Sequence, residues 1–446
     1  MIAMPKIRRS VTLFLLNMMT VACLPEAARK DVFELDRKFI NYQFSVVKKP
    51  TISKQDLTVL LQELEKKPAS VQALNELAGS YLRLAKSNGS FEIYNLAEGL
   101  ANQSLKLRAS SNNEAQMHLA RVANAKHQFQ RAIDIAEKIL ESNPNHFESR
   151  QLLITSYIGL GRPNIALEHS QHLLSKIPVD SSQLLHALTL EHLGRDEEAV
   201  YYFVRSFELE DLGDPDSAAW KRMIAARFFL KHGNPDLATS LIKNGMEISD
   251  TYQAMAYEAL GHVAYAEGHW IEADQHYQAA FKISKGANFL NLRAKALEMA
   301  GRVTDAVELR NLAFAQMNND TGEFGHRRDL IEVLIDRGEA TDFAAANEYA
   351  EVELKSRTDY KAYLQLARIN LGQGNSAKAL SWLQMALASG FRHTELYFVA
   401  AQVYQSTGDP AKARHYLKLA EILAPGIIQP ANFKKIVPQL LLSTRP

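Results

Sequence analysis

The chain has 446 residues, with 51 Lys and Arg against 50 Asp and Glu, a formal net charge of +1. So close a balance removes bulk charge as a reason to expect nucleic acid or an anionic membrane surface as partner. One cysteine, Cys23, excludes an intrachain disulfide framework and a cysteine-based zinc site, and 14 prolines with 21 glycines exclude a collagenous or low-complexity chain.

Lys6, Arg8 and Arg9 precede an apolar run from Val11 to Leu24, interrupted by Thr12, Asn17 and Thr20. The run falls short of the ~20 residues a spanning helix needs. A basic start, a short apolar middle and a small residue, Ala22, give the shape of a secretory signal over 1–23. Thr20-Val21-Ala22-Cys23 resembles the lipobox of bacterial lipoproteins, with Thr20 where that family prefers leucine. The resemblance implies a lipidated Cys23 as the mature N-terminus. A plain signal peptide and an uncleaved short anchor are the alternatives.

Residues 24–67 read as a tether followed by an N-terminal capping helix. Ser53 and Asp56 have capping-box spacing, and Leu57, Leu60, Leu61 and Leu64 make one apolar face before Pro68 stops the helix.

From 68 to 425 one pattern recurs: a helix, a glycine turn, a small residue, a second helix. The turn glycines are Gly161, Gly194, Gly233, Gly268, Gly301, Gly338, Gly374 and Gly408. Five residues after seven of them stands an alanine: Ala166, Ala199, Ala238, Ala273, Ala306, Ala379 and Ala413. Gly338 departs, with Phe343 at that offset; an insertion of two residues would bring in Ala345. One unit before Gly161, His127 stands in the glycine position and Ala132 keeps the offset. Glycine ends the first helix in a left-handed conformation at little steric cost. Alanine lets the two helices of a pair approach closely, and larger residues three and four apart fill the seam.

These residues resemble the tetratricopeptide repeat, a helix–turn–helix unit of ~34 residues. Tyr257, Leu260, Gly261, Tyr265, Gly268, Ala273, Tyr277, Ala280 and Phe281 follow its pattern closely, as do Tyr397, Ala401, Tyr404, Gly408, Ala413, Leu417, Ala420 and Pro425. Tyrosine or polar residues stand where the family has tryptophan. The resemblance implies an all-α, right-handed superhelical solenoid of about ten units, the first helices lining a concave face. Unbroken heptads, which a coiled coil needs, are absent; a Sel1-like solenoid is the smaller alternative. The tail, 426–446, carries Ile427, Ile428, Ile436, Val437 and Leu440 to Leu442 and reads as a cap for the last unit, interrupted by Pro430 and Pro438.

No HExxH pair, G-x-S-x-G elbow, Walker loop or Rossmann fingerprint occurs. Asp211 to Asp216 is acidic, but it lacks the spaced ligands of an EF-hand loop and reads as a turn that caps the next helix. His169 with His172, and His186 with His192, can share helix faces but lack a third ligand. Tyr201, Tyr202 and Phe203 fall at packing positions. The chain is therefore expected to be no enzyme and to need no cofactor or metal.

With each turn glycine as position 15 of its unit, position 9 faces inward and reads Arg121, Thr155, Leu188, Arg227, His262, Lys295, Glu332, Arg368 and Gln402. This row is basic although the chain is not. Arg121, Arg227, His262, Lys295 and Arg368 are thus candidates for binding an acidic or carboxylate-bearing protein partner. The competing expectation is that neighbouring carboxylates, Glu258, Glu298 and Asp329 among them, pair with these cations. Joined to the lipobox, the array resembles repeat lipoproteins of Gram-negative bacteria. That implies a scaffold on the periplasmic face of the outer membrane, attached by lipid alone, serving secretion, pilus, polysaccharide-export or cell-wall machinery. A cytoplasmic regulator or chaperone-like adaptor is the alternative.

Overall fold

The computed structural model describes residues 54–88, 91–210, 213–318 and 326–424, and every structural statement here concerns those residues. Cys23, the tether, Ser53 and the tail 426–446 lie outside them.

A first helix, α1 (Lys54–Lys66), precedes ten helix pairs. The pairs are α2 (Val71–Asn88) with α3 (Phe91–Leu107), α4 (Asn113–Ala125) with α5 (Phe129–Ser142), and α6 (Phe147–Gly159) with α7 (Pro163–Lys176). Next come α8 (Asp180–His192) with α9 (Asp196–Glu208), α10 (Pro215–Lys231) with α11 (Pro235–Ile248), and α12 (Gln253–Glu267) with α13 (Trp270–Ser284). The last four are α14 (Asn288–Met299) with α15 (Val303–Asn318), α16 (His326–Arg337) with α17 (Ala340–Ser356), α18 (Tyr360–Gly372) with α19 (Ser376–Ala388), and α20 (Thr394–Ser406) with α21 (Pro410–Leu423). This is an all-α solenoid of stacked pairs, each sharing its core with its neighbours.

All eight turn glycines have positive φ, and His127 takes the same left-handed conformation at φ 56. The seven alanines of the pattern, with Ala132, are wholly buried in the seam of their pairs. Proline opens α7, α10, α11 and α21, where the missing N–H costs no hydrogen bond. The α16–α17 pair corrects the expected insertion: the wholly buried alanine is Ala346, and Ala345 is only half-buried. Phe343 holds the usual alanine offset and packs beneath Gly372 on α18, where a Cβ would lie 2.2 Å from its ring. The bulk gained on one helix is offset by a side chain lost on the next.

The solenoid comes back onto itself. Thr358 donates its backbone N–H to the Leu160 carbonyl at 3.1 Å, a pair of residues 198 apart in sequence. Arg357 Nε donates to the Gly159 carbonyl at 3.1 Å. One unit on, Gly194 lies against the backbone of Gly390, and one unit further Gly233 lies against Ile422 and Leu423. Three successive turns of the first pass thus touch the chain at or just past the C-terminal ends of α17, α19 and α21.

Candidate binding cavity

Because the passes meet, the inner face is closed along that line and forms a partly enclosed cavity. A space of about 550 Å³ is lined by Ile158 and Gly159 of α6 and by first-helix residues of α8, α10, α12, α14, α16, α18 and α20, eight successive pairs. It shares Glu258, Asn288 and Asp329 with a larger space of about 1400 Å³. That space shares Arg83 with a third of about 740 Å³, beside α1, α2, α4 and α6. The three follow one another along the inner side of the first helices.

Arg227, His262 and Lys295 line the first cavity; Arg121 lines the third; Arg368 is not among the lining residues. Most of the basic row is already engaged. Arg121 pairs with Glu148 at 2.8 Å. Lys295 Nζ reaches Asp336 at 2.9 Å and Glu332 at 3.7 Å. Arg368 contacts Glu332, Asp336 and Glu395 at 2.6, 2.9 and 2.8 Å. His262 lies 3.7 Å from Glu258 and meets the Tyr277 hydroxyl at 2.9 Å. The carboxylate partners come from the same or a neighbouring first helix; Glu332 and Asp336 were not among the carboxylates the competing expectation named.

This network sets the ionisation of its members. Burial alone would weaken the Lys295 ammonium, but Asp336 and Glu332 raise its pKa above the ordinary value. Burial likewise opposes the Glu332 carboxylate, yet Arg368 and Lys295 hold it well below its usual range. Glu258 is also lowered against the burial effect, by the His262 hydrogen bond and by the charges of Arg227 and Lys361. Burial depresses His393 at the wall to about 4.

Taken together, the wall is balanced. Arg227, Lys231, Lys295, Arg328, Arg357 and Lys361 face Glu191, Glu258, Asp329, Glu332, Asp359 and Glu395. A long polyanion would meet as many carboxylates as cations. Two cations are uncommitted: among the described residues neither Arg227 nor Lys361 has a hydrogen-bond or ion-pair partner. On the same cavity wall Asn291, 5% exposed, donates Nδ2 to Asp336 at 2.9 Å while its Oδ1 has no partner among the described residues. Sequence reasoning missed Lys361 and Asn291 because both lie outside the position-9 row. The turn glycines place them at positions 2 and 5, on the same inner face, so a wider window would have found them.

A second charged cluster, also missed, lies away from the cavity. Lys221 and Arg222 are wholly buried. Arg222 makes a bidentate pair with Glu210, at 2.6 and 3.1 Å, and its Nε donates to Asn244 at 2.5 Å. Lys221 donates to Asp180 and to the Ser206 carbonyl, both at 2.9 Å, with Glu210 at 3.3 Å. In the acidic stretch beside it, Asp214 caps α10 by accepting from the Ser217 N–H at 3.1 Å. Asp216 accepts from the hydroxyls of Ser249 and Thr251. His186 is buried against Ser170 Oγ at 2.9 Å, and His169 stacks on Tyr157. Phe203 is core, with Tyr201 and Tyr202 half-buried beside it.

Residues 394–425, the α20–α21 pair, match the family model of the tetratricopeptide repeat. That one pair is what the family model matches; the other nine pairs share its helix–turn–helix form. No curated protein matches it in sequence. Among solved structures it is similar to the human IFIT1 dimer with PPP-AAAA, at 15% identity over 87% of this chain and 99% of that one, TM-score 0.46. Yeast Tom70 is similar at 17% identity over 86% and 88%, TM-score 0.42. A tetratricopeptide repeat protein from Parabacteroides merdae is similar at 13% over 69% and 98%, TM-score 0.33. In this array of helix pairs the first helices supply most of the wall of the first cavity.

Proposed function

We propose that this tetratricopeptide array is a non-enzymatic scaffold that holds a protein partner through a carboxylate placed in the axial cavity. The observation that carries the reading is the pair of uncommitted cations, Arg227 and Lys361, on a wall whose other charges are largely matched. A carboxylate there gains charge-assisted hydrogen bonds without breaking an existing pair. The Asn291 Oδ1 acceptor suits an amide N–H of the same partner. An acidic partner in the broad sense gives way to one carboxylate at one place, with Arg121, Lys295 and Arg368 serving the wall.

The basic, apolar, small, cysteine order at the N-terminus supports export and lipidation at Cys23, and with them a position at the periplasmic face of a bacterial outer membrane. There it would assist assembly of an envelope complex.

The test is capture of partners from detergent-solubilised envelope on wild-type protein and on Arg227→Ala/Lys361→Ala protein. The expected result is a partner whose affinity falls at least ~10-fold in the double variant and whose binding to wild type weakens with salt. Equal affinity with no salt dependence overturns the carboxylate reading. Mature envelope protein that retains Met1, read by mass spectrometry, overturns the lipoprotein reading.

A further inference from the structure

The two passes of the solenoid meet differently from the helices within it. Neighbouring pairs share apolar clusters, such as the one running from Met117 to Leu185 and the one from Leu364 to Ala413. Among the described residues, none of these clusters joins the first pass to the second. The line between passes is instead made of polar groups and backbone. Among the described residues it includes three hydrogen bonds, two from Thr358 to the Leu160 carbonyl and one from Arg357 to the Gly159 carbonyl, the backbone contacts of Gly194 with Gly390 and of Gly233 with Ile422 and Leu423, a contact of α2 with α12, an Arg392–Asp196 pair at 3.4 Å, and one aromatic plug. The plug is Phe391, stacked on Tyr360 of its own pass, with Lys231 4.7 Å and His192 5.6 Å from its ring centre across the line. The Arg357 guanidinium sits over the Phe129 ring in the same way, at 5.0 Å.

A stack of pairs is held together by nearest-neighbour contacts. The line between passes lies outside that set, so breaking it leaves every pair and every apolar cluster intact. Such an opening has its own free energy, below that of global unfolding. It also has a geometric consequence. The axial cavity is walled by Ile158, Gly159 and His192 on one side of the line and by Arg357, Phe391 and His393 on the other.

We propose that the line between the passes is a gate: the passes part along it, and parting is how a bulky ligand enters the axial cavity. The gate does not depend on what the cavity takes, so it stands or falls apart from the carboxylate reading.

Thr358 supplies a direct readout. It lies outside the helices, and the one bond its backbone N–H makes among the described residues crosses the line to Leu160. Hydrogen–deuterium exchange of the full-length protein, without partner, should show the Thr358 amide protected yet exchanging at least ~100-fold faster than the buried α18 amides such as that of Ala367. Arg392→Ala removes the cross-pass ion pair without touching the cavity wall. It should speed Thr358 exchange by ~10-fold and leave Ala367 unchanged.

An unprotected Thr358 amide overturns the proposal, because the passes are then not closed in solution. Exchange of Thr358 at the same rate as Ala367 overturns it too, because the line then opens only with the whole protein. A second measurement tests entry. Leu188→Cys, in a chain carrying Cys23→Ser, puts a thiol on the cavity wall. A bulky dye maleimide should label it ~10-fold faster in the Arg392→Ala background, while a small methanethiosulfonate reacts at similar rates in both. Equal labelling by the bulky reagent in the two backgrounds means that the cavity is reached by another route, and the gate is rejected.

Discussion

Among the described residues, Glu210 is the carboxylate that Lys221 and Arg222 share, two cations that water does not reach. Burying a charge is tolerable only with a partner and hydrogen bonds in place. Glu210→Ala removes the bidentate half of that arrangement and is expected to cost about 3–5 kcal/mol of folding stability. A denaturant midpoint close to wild type would mean that Asp180 and Asn244 suffice. Buried histidines set a different dependence, on pH. His118 and His186 are each 5% exposed, and burial pushes both to about 4. Their neutral forms are native, so the unfolded chain binds the extra protons between pH 6.5 and pH 4. Stability is therefore full above pH 6.5 and falls as the solution is acidified towards 4, by up to about 1.4 kcal/mol per pH unit for each histidine. Glu332 and Asp359, held low by arginine and lysine neighbours, contribute above their usual range and lose that contribution only below about pH 4.5. His186→Asn, which can keep the Ser170 hydrogen bond, should flatten the slope of stability between pH 6.5 and 4 by about one proton. An unchanged slope would assign the titration elsewhere.

At the scale of the helix pair, the same glycine turn meets two environments. At Gly374 a Cβ would have nothing within 4 Å, whereas at Gly161 it would lie 2.6 Å from the backbone of Thr358 and Asp359. Both residues have positive φ, so alanine at either should cost about 1–2 kcal/mol in backbone strain. Gly161→Ala should in addition push the passes apart, raising the radius of gyration in solution scattering, and Gly374→Ala should not. Identical scattering from the two variants would contradict the contact. The alanine side of the pattern makes a further prediction. Ala273 and Ala413 are wholly buried between their helices. Ala273→Arg and Ala413→Arg must overpack the seam or strand a charge in it, so each should lose at least ~3 kcal/mol. Melting curves equal to wild type would show that the repeat register is wrong. The glycine–alanine pattern was readable in the sequence because it acts within one pair, over about a dozen residues. Ala346 was misplaced by one residue because its neighbour Phe343 is accommodated by Gly372, on a helix the local pattern does not include.

Over the whole molecule, legibility ends where contacts become distant. The helix pairs from Gly161 onward follow from spacing, and their inward first helices from the family resemblance that the spacing carries. That the first pass touches the second does not, because the curvature of a stack accumulates from small rotations at every joint. The neutral wall was hidden for a related reason. Position 9 by itself reads as basic, but Asp336 lies one helical turn beyond that row and Glu395 stands on a different helix from Arg368. The contact between passes also fixes arithmetic that an open stack leaves free. Five pairs, α8 to α17, lie between the turn at Gly161 and the residues it meets at Thr358 and Asp359. An open stack can lose or gain a pair and merely change length. Here a chain shortened by one internal pair would bring a different loop, with different side chains, opposite Gly161, and the offset would carry through to Gly194 and Gly233. The number of units is thus keyed like the teeth of a ratchet. Duplication or loss of a repeat, the ordinary way such arrays vary, is compatible with this molecule only at its ends.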